Sequence, residues 1–188
     1  ILVTGRHHMM ACPVHHQLAL ETPLICSNGA YIFDFQAKRI TAGNPLHDWQ
    51  WQQLFPLIES LQLDVICHFS DGIGHQPDNV HIAKIKNHLS TLPPEHYPHF
   101  IEHSSLATLC NTHVPLWKIE IAHATPAAID AFIDALPDGL AITHDRTAPN
   151  GLEIVNTGSS KGNRLAEWVA GKGIALDQVI AFGDNHND

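Results

Sequence analysis

ILVTGRHHMM, residues 1–10, runs from an apolar segment through a turn into a helical segment. Residues 1–3 predict the end of a buried strand, residues 4–5 a tight turn, and residues 7–20 a helix. The order of strand, turn and helix is typical of α/β proteins. We therefore predict an α/β fold.

The rest of the chain alternates short apolar runs with segments of helical periodicity, as an α/β fold requires. The predicted strands are residues 24–27, 31–33, 64–69, 116–122, 139–143, 152–155 and 179–182, and a hairpin continues from residue 33 to residue 40. The further predicted helices are residues 48–61, 78–89, 126–137 and 160–170. We predict Asp48 as the N-cap of the first of these helices, and Thr125, followed by Pro126, as the N-cap of the third.

The composition argues against several classes of partner. The 188 residues have a formal net charge of -9 and only ten Lys and Arg, so no basic stripe can neutralise a nucleic-acid backbone. No apolar run approaches the roughly 20 residues that cross a bilayer. The four cysteines lack Cys-x-x-Cys spacing, which favours a reducing compartment. We therefore expect a cytoplasmic globular protein with no nucleic-acid or membrane partner. The composition does not decide its oligomeric state.

Two segments place polar groups where open α/β sheets bind ligands, at the end of a strand or the start of a helix. The Thr4 hydroxyl and the Gly5 amide can hold an anion near the N-terminus of the following helix. An ordinary cap with a turn glycine explains the same two residues. Lys161 opens a helix among small residues, outside any Walker pattern. A solvated surface lysine is the alternative there.

A third segment, GDNHND at residues 183–188, places two carboxylates and an amide directly after a predicted buried strand. Hard oxygen ligands of this kind suit Mg²⁺, which one or two carboxylates usually hold together with water and a substrate phosphate. An Asp- and Asn-rich turn is the alternative. The preceding strand favours the metal site.

In this order, residues 4–6, Lys161 and residues 183–188 resemble motifs II, III and IV of the haloacid dehalogenase (HAD) superfamily. Residues 28–29 and 153–162 further resemble its Cof-type branch, subfamily IIB, in which a cap domain is inserted between motifs II and III. Within that branch, TGRHH at 4–8, LPPE at 92–95 and WK at 117–118 are similar to bacterial pyridoxal phosphate phosphatases.

The resemblance implies a Rossmann-like core, residues 1–33 and 151–188, and an inserted α+β cap of the C2 type, residues 34–150. It also implies a nucleophilic aspartate that forms an aspartyl-phosphate, within an Asp-x-Asp motif I that we expect upstream of Ile1. No Asp-x-Asp occurs in the sequence. We therefore expect a core truncated at both ends and a fragment that is inactive alone.

The implied function is Mg²⁺-dependent hydrolysis of a small-molecule phosphate ester, either pyridoxal phosphate or a sugar phosphate. By resemblance, Thr4 and Lys161 are catalytic, and Asp184 and Asp188 support the Mg²⁺ cofactor. The residues implied to contact phosphate or substrate are Gly5, Arg6, Asn28, Gly29 and Asn187. Candidates for contact with a flat leaving group are the aromatic residues Trp117, Tyr31 and Phe33, with core packing as the alternative.

The sixteen histidines of the chain suggest a rival hypothesis. His99 and His103 belong to an H-x-x-E-H string, the pattern of a class of zinc metallopeptidases, which requires a helix. The other histidine pairs, at residues 7–8 and 15–16, are predicted as solvent-facing helix positions. A third hypothesis is a non-catalytic phosphate-binding module.

Overall fold

The computed structural model describes residues 1–90, 94, 97–113, 115–184 and 187–188. These residues form two compact units: unit 1 comprises Ile1–Asn44 and Gly158–Asp188, and unit 2 comprises Pro45–Thr157. Within the described ranges, no helix is long and apolar enough to cross a membrane. Residues 92, 93 and 95, which contribute to the resemblance above, lie outside these ranges.

Strands and helices alternate along the chain, as the sequence predicts. The strands are β1 (Leu2–Val3), β2 (Leu24–Cys26), β3 (Tyr31–Asp34), β4 (Arg39–Gly43), β5 (Asp64–Phe69), β6 (Ile73–His75), β7 (Phe100–Glu102), β8 (Leu116–Ala122), β9 (Ile142–Ala148) and β10 (Gly151–Asn156). The helices are α1 (His8–Gln17), α2 (Asp48–Ser60), α3 (Val80–Leu89), α4 (Leu106–Thr112), α5 (Pro126–Asp134) and α6 (Lys161–Ala170). The predicted N-cap Thr125 of α5 is confirmed.

Unit 1 contains a four-stranded sheet in the order β1-β2-β3-β4. β1 and β2 are parallel and are connected through α1, whereas β2, β3 and β4 are antiparallel neighbours. The residues of β2 are fully buried, as a continuous apolar run predicts for an interior strand. Because β1 and β2 are parallel, residues 4–6 and 27–29 follow them at the same end of the sheet.

Unit 2 contains a six-stranded sheet in the order β7-β6-β5-β8-β10-β9, in which only β6 and β7 are parallel to each other. The main core of the unit joins helices α2, α4 and α5 to alternate residues of β5, β8 and β10. In α2, the core residues Trp51, Leu54, Phe55 and Ile58 occupy positions i, i+3, i+4 and i+7, which form one apolar face.

The N-cap of α2 is a correction to the sequence prediction. The sequence predicts Asp48 at that position, but His47 holds it in an extended conformation. The physical reason is Gln50, whose side chain reaches back and accepts a hydrogen bond from the His47 backbone N–H at 2.7 Å. Asp48 is instead the first residue of the helix, where its negative charge interacts favourably with the helix dipole.

Gln50 also ties the start of unit 2 to its end. Its side-chain amide is buried and donates to the carbonyl of Ala141 at 2.7 Å and to the Asn156 side-chain oxygen at 3.0 Å. Asn156 in turn donates to the carbonyl of Pro45 at 2.7 Å. Buried polar groups are stabilising only when they are bonded in this way. Both chain segments at the boundary of the unit are therefore fixed within it.

The predicted domain boundaries, after residues 33 and 150, differ from the unit boundaries. The first would separate β3 from β4, although these strands pair as a hairpin in unit 1. The second would remove β10 from unit 2, where it pairs with both β8 and β9. Strand pairing therefore displaces both boundaries toward the C-terminus, to residues 44 and 157.

Two predicted strands also need correction. The strand predicted at residues 139–143 begins at Ile142, because Gly139 and Ala141 have left-handed backbone conformations that interrupt a ladder. Residues 179–182 are irregular, and Ile180 and Phe182 are 82% and 96% exposed. A strand needs a neighbour for its backbone hydrogen bonds, and none in the described part of the chain pairs with this segment.

Candidate functional site

Two loops at the end of the unit 1 sheet are bonded side by side. The Thr4 backbone N–H donates to the carbonyl of Ile25 at 2.9 Å, which extends the parallel ladder. The Asn28 N–H donates to the Thr4 carbonyl at 3.1 Å, and the Ser27 N–H donates to the Arg6 carbonyl at 3.1 Å. The Thr4 hydroxyl oxygen accepts from the Arg6 N–H at 3.1 Å. These bonds hold residues 4–6 against residues 27–28.

The second loop is a turn in which Ser27, Asn28 and Gly29 all have left-handed backbone conformations, with φ of 49°, 58° and 84°. That conformation costs a non-glycine residue about 1 kcal/mol. The Asn28 side chain lies so close to Gly5 that a Cβ atom there would be 2.7 Å from its Oδ1 atom. The glycine at position 5 therefore makes room for Asn28.

The same turn packs against the start of α6. The N-cap of that helix is Ser160, whose hydroxyl oxygen accepts from the Asn163 N–H at 3.0 Å. A Cβ atom on Gly29 would lie 2.1 Å from the Ser160 carbonyl oxygen and 3.0 Å from the Lys161 nitrogen. Glycine at position 29 therefore permits both the left-handed turn and the close approach of the two backbones.

Lys161, the first residue of α6, faces the C-terminal loop. Its amine forms an ion pair with Asp188 and donates to the Asn187 side-chain oxygen at 3.4 Å. The second carboxylate oxygen of Asp188 accepts from the Asp184 backbone N–H at 3.0 Å. Because the Lys161 side chain is only 15% exposed, its charge is partly desolvated and the ion pair is stronger than one on an open surface.

The structure thus joins the predicted site residues in one series of contacts within unit 1, from Thr4 through Gly29 to Lys161 and on to Asp184. Arg6 enters this series through its backbone N–H and carbonyl groups, and the residue is exposed. The series combines a hydroxyl group, backbone amides and an ammonium group. Such groups can stabilise a phosphoryl group electrostatically.

The donor chemistry at residues 184–188 suits Mg²⁺ only in part. The carboxylate of Asp184 is on an exposed residue, whereas both oxygens of Asp188 already accept bonds, from Lys161 and from the Asp184 N–H. Among the residues the structure describes, no three His, Cys, Asp or Glu side chains form a metal-binding group. Mg²⁺ needs only one or two carboxylates when water and phosphate complete its shell, so Asp184 fits the ion.

Three of the four histidines predicted to face solvent in α1 are buried, which corrects that prediction. His7 is the N-cap of the helix, and its Nδ1 atom accepts from the Met9 N–H at 3.3 Å. The ring of His8 stacks on Phe33 at 3.8 Å. His15 bonds the Thr22 carbonyl at 2.7 Å. These rings are buried because α1 packs them against the sheet and its following loop.

The aromatic candidates for contact with a leaving group are mostly core residues. Tyr31 is fully buried, and its hydroxyl group lies 3.0 Å from His8 Nδ1. Trp117 in unit 2 is 5% exposed and donates from its indole N–H to the Ser70 hydroxyl at 2.9 Å. Core packing therefore explains Tyr31 and Trp117. Phe33 is half-buried beneath the stacked ring of His8.

The helix required by the zinc-peptidase hypothesis is absent from the segment that carries its motif. The residues between His99 and His103 form strand β7. Along a strand, positions four apart are separated by about 13 Å, whereas on a helix such positions are neighbours about 6 Å apart. The two histidines that flank β7 therefore lack the helical spacing that the motif requires, and the hypothesis is wrong on this point.

A second polar cluster, in unit 2, is one that the sequence interpretation missed. Lys118 is fully buried, and its amine lies 2.6 Å from carboxylate oxygens of both Glu120 and Glu153. Glu120 also lies 3.0 Å from the ring of His68. Strand register brings the four together, because His68 pairs with Lys118 and Glu120 pairs with Glu153. The signal was the spacing of Lys118 and Glu120, which share one face of a strand.

Burial and charge act against each other in this cluster. Burial opposes the charged amine, but the two carboxylates outweigh it and raise the pKa of Lys118. Burial also opposes the charged form of Glu120, yet Lys118 and His68 hold its pKa well below the usual range. Burial, followed by the charge of Lys118, lowers the pKa of His68 despite the neighbouring carboxylate. Glu120 and Glu153 line a cavity of about 160 Å³.

The sequence profile of the haloacid dehalogenase-like hydrolases matches residues 1–188. The chain belongs to this family. Pyridoxal phosphate phosphatase YbhA of Escherichia coli is 32% identical over 188 residues, which are 100% of this chain and 69% of YbhA. The predicted membership in the HAD superfamily and in the hydrolase class of enzymes is confirmed. Membership in a hydrolase family also favours an enzyme over a non-catalytic module.

Solved structures of HAD proteins share the fold. A HAD-like hydrolase from B. subtilis has a TM-score of 0.82 at 18% identity, with 100% of this chain and 72% of that protein covered. The HAD subclass IIB sugar phosphatase BT4131 has a TM-score of 0.73 at 16% identity, with coverage of 95% and 64%. These likenesses confirm the predicted α/β class with a Rossmann-like core.

The approach of the 27–29 turn to α6 can be tested with two glycines of similar conformation. Gly29 has a φ of 84° and Gly158 has a φ of 81°, but only Gly29 has backbone atoms where a Cβ would lie. We expect Gly158→Ala to cost about 1 kcal/mol of unfolding free energy and Gly29→Ala about 2–4 kcal/mol. Equal costs in urea denaturation would contradict the close packing.

The buried cluster predicts how stability depends on pH. His68 has a lowered pKa in the folded state, so the unfolded chain binds its proton first as the pH falls below about 6.5. Stability from this group is present above that value and is lost on acidification, and the lowered pKa of Glu120 continues the loss at lower pH. We expect thermal unfolding of His68→Gln to change less between pH 7 and pH 5 than that of the wild type. Identical pH profiles would refute this assignment.

Proposed function

We propose that the protein is a Mg²⁺-dependent phosphatase that hydrolyses a small-molecule phosphate monoester through an aspartyl-phosphate, with pyridoxal phosphate as its substrate. The observation that carries the proposal is the series of contacts in unit 1. It links Thr4, Gly29, Lys161 and Asp184, which lie in distant parts of the sequence. The phosphatase relatives of the family support the same chemistry.

Residues of this chain would handle the phosphoryl group by positioning and charge. The Thr4 hydroxyl oxygen already accepts one hydrogen bond from Arg6, so its own proton remains able to donate to a phosphoryl oxygen. The Gly5 amide would supply a second donor. The Lys161 ammonium would offset negative charge on the phosphoryl group and orient the nucleophile, while Asp188 holds that ammonium in place.

Asp184 would hold Mg²⁺, with Asp188 supporting it through Lys161 or a water molecule, and Asn187 would contact the phosphoryl group. When bound, the ion supplies Lewis-acid stabilisation of negatively charged phosphoryl oxygens. The nucleophile is the aspartate expected in motif I, and no Asp-x-Asp occurs within these 188 residues. Activity measurements therefore use the full-length protein.

We assign unit 2 the role of the cap that selects the substrate. A phosphate group is common to all monoesters, so discrimination must come from contacts with the leaving group. The relative that is 32% identical over this whole chain is named a pyridoxal phosphate phosphatase. The sugar phosphatase is only 16% identical, which supports a common fold but no common substrate. Pyridoxal phosphate is therefore the preferred substrate.

The substrate assignment can be tested by comparing pyridoxal 5′-phosphate with hexose phosphates. We expect the full-length protein to show the higher kcat/KM for pyridoxal phosphate. A kcat/KM that is tenfold higher for a hexose phosphate corresponds to about 1.4 kcal/mol of transition-state discrimination. That result would overturn the substrate assignment but not the assignment as a phosphatase. Absence of turnover with every phosphate monoester in the presence of Mg²⁺ would overturn both.

The metal assignment can be tested with a substitution that removes one carboxylate charge. We expect Asp184→Asn in the full-length protein to lower kcat about 100-fold or more, because Mg²⁺ loses its ligand. Chelation of the wild type should give the same loss, reversed by added Mg²⁺. Asp177→Asn is the matched control, since Asp177 is also exposed and lies in the short turn Leu176–Gln178. A fully active Asp184→Asn variant would exclude the assignment.

A further inference from the structure

We propose that Arg164 is a positioning residue for the phosphate site. It holds the left-handed turn at residues 27–29 against the start of α6, and thereby keeps Asn28 and Gly5 in place relative to Lys161. The inference rests on the proposed function, because it takes this turn and Lys161 as parts of one phosphate-binding site. The side chain of Arg164 bonds the Gly29 carbonyl and the Glu167 carboxylate, so it acts on the site through the turn.

Arg164 is a buried charged residue, and its guanidinium group forms hydrogen bonds within the protein. The residue lies one helical turn after Lys161 and is 8% exposed. Its Nε–H donates to the carbonyl of Gly29 at 2.9 Å, across 135 positions of sequence, and its Nη1 atom lies 2.6 Å from Glu167. A guanidinium group stays charged and presents its donors in a rigid planar fork. The Nε–H edge of the fork bonds the Gly29 carbonyl directly, whereas the Nη1 edge pairs with Glu167, whose side chain is mostly exposed.

The turn that Arg164 contacts needs such support. Ser27 and Asn28 are non-glycine residues in left-handed conformations, which persist only where their surroundings hold them. Hydrogen bonds to the carbonyls of Thr4 and Arg6 hold the turn on one side. The Arg164 bond holds it on the other side, at Gly29. The turn is therefore clamped between the loop after β1 and helix α6.

The clamp couples two parts of the site that have no sequence connection. Asn28 packs on Gly5, and Gly29 packs on the backbone of Ser160 and Lys161. If the hydrogen bond from Arg164 to the Gly29 carbonyl is lost, the turn can move away from α6. The Asn28 side chain, which packs on Gly5, would then move with the turn. The Lys161 side chain remains held by Asp188. The groups on the turn and on α6 would then no longer converge on the same phosphate. We therefore expect a loss of phosphate affinity that is larger than the loss of protein stability can account for.

The test compares three variants of the full-length protein. Arg164→Met keeps an unbranched apolar side chain but removes all donors. Arg164→Lys keeps the charge without the fork. Glu167→Gln is the matched control, because it removes the carboxylate charge from a side chain that is 64% exposed and leaves the bond to Gly29 possible. For each variant we would measure kcat, KM, the inhibition constant of inorganic phosphate and the thermal midpoint.

We expect Arg164→Met to raise KM and the phosphate inhibition constant about tenfold, the usual effect of one lost hydrogen bond from a charged group. Arg164→Lys should restore part of this loss, and Glu167→Gln should stay within about twofold of the wild type. If Arg164→Met lowers only the thermal midpoint and leaves KM and the inhibition constant within twofold, Arg164 is merely structural and the inference fails.

Hydrogen exchange supplies a readout that does not depend on activity. The amides of Ser27 and Asn28 should exchange faster in the Arg164→Met variant, while the amides of β3 and β4 keep their protection. Unchanged exchange at residues 27–28 would overturn the positioning role even if the protein proved not to be a phosphatase. Faster exchange in a protein without phosphatase activity would support the clamp and refute the proposed function.

Discussion

The arrangement of unit 1 depends on one close approach, that of the Gly29 backbone to the first residues of α6. Gly29 leaves no room for a Cβ atom, because the Ser160 carbonyl oxygen would be 2.1 Å away. This contact decides where the helix begins relative to the sheet, and therefore where Lys161 stands relative to the loop that carries Thr4. The Arg164 bond to the Gly29 carbonyl and the paired loops after β1 and β2 surround the same point.

The charged clusters around Lys161 in unit 1 and around Lys118 in unit 2 differ in how the cost of desolvation is offset. In unit 1, Lys161 and Asp188 are partly exposed, at 15% and 23%, so their charges can respond to an incoming anion or cation. In unit 2, Lys118 is fully buried and is neutralised by two carboxylates held on the neighbouring strands β8 and β10. Removal of one partner there would leave an unpaired buried charge, which is strongly destabilising. The first cluster is therefore suited to binding, and the second to stabilising the pairing of β8 with its neighbouring strands.

The errors of the sequence interpretation have physical causes. His7 and His8 look like surface residues because imidazole is polar, but a flat ring also stacks well, and His8 lies on Phe33. Residues 179–182 have the apolar composition of a strand, yet a strand exists only when a neighbour bonds it. The H-x-x-E-H string contains the residues of the zinc-binding motif, but the motif requires a helix and strand β7 lies between its histidines.

Local patterns in the sequence by themselves determined the alternation of strands and helices, the HAD family and the identity of the candidate residues Thr4, Lys161 and Asp184. These features depend on residues close together in the chain, where periodicity, caps and short motifs carry the information. Only the tertiary structure decided the left-handed turn at residues 27–29 and the role of Arg164. The physical reason is that this turn is held by contacts with Thr4 on one side and with α6, 135 positions away, on the other, and no local pattern encodes such a clamp.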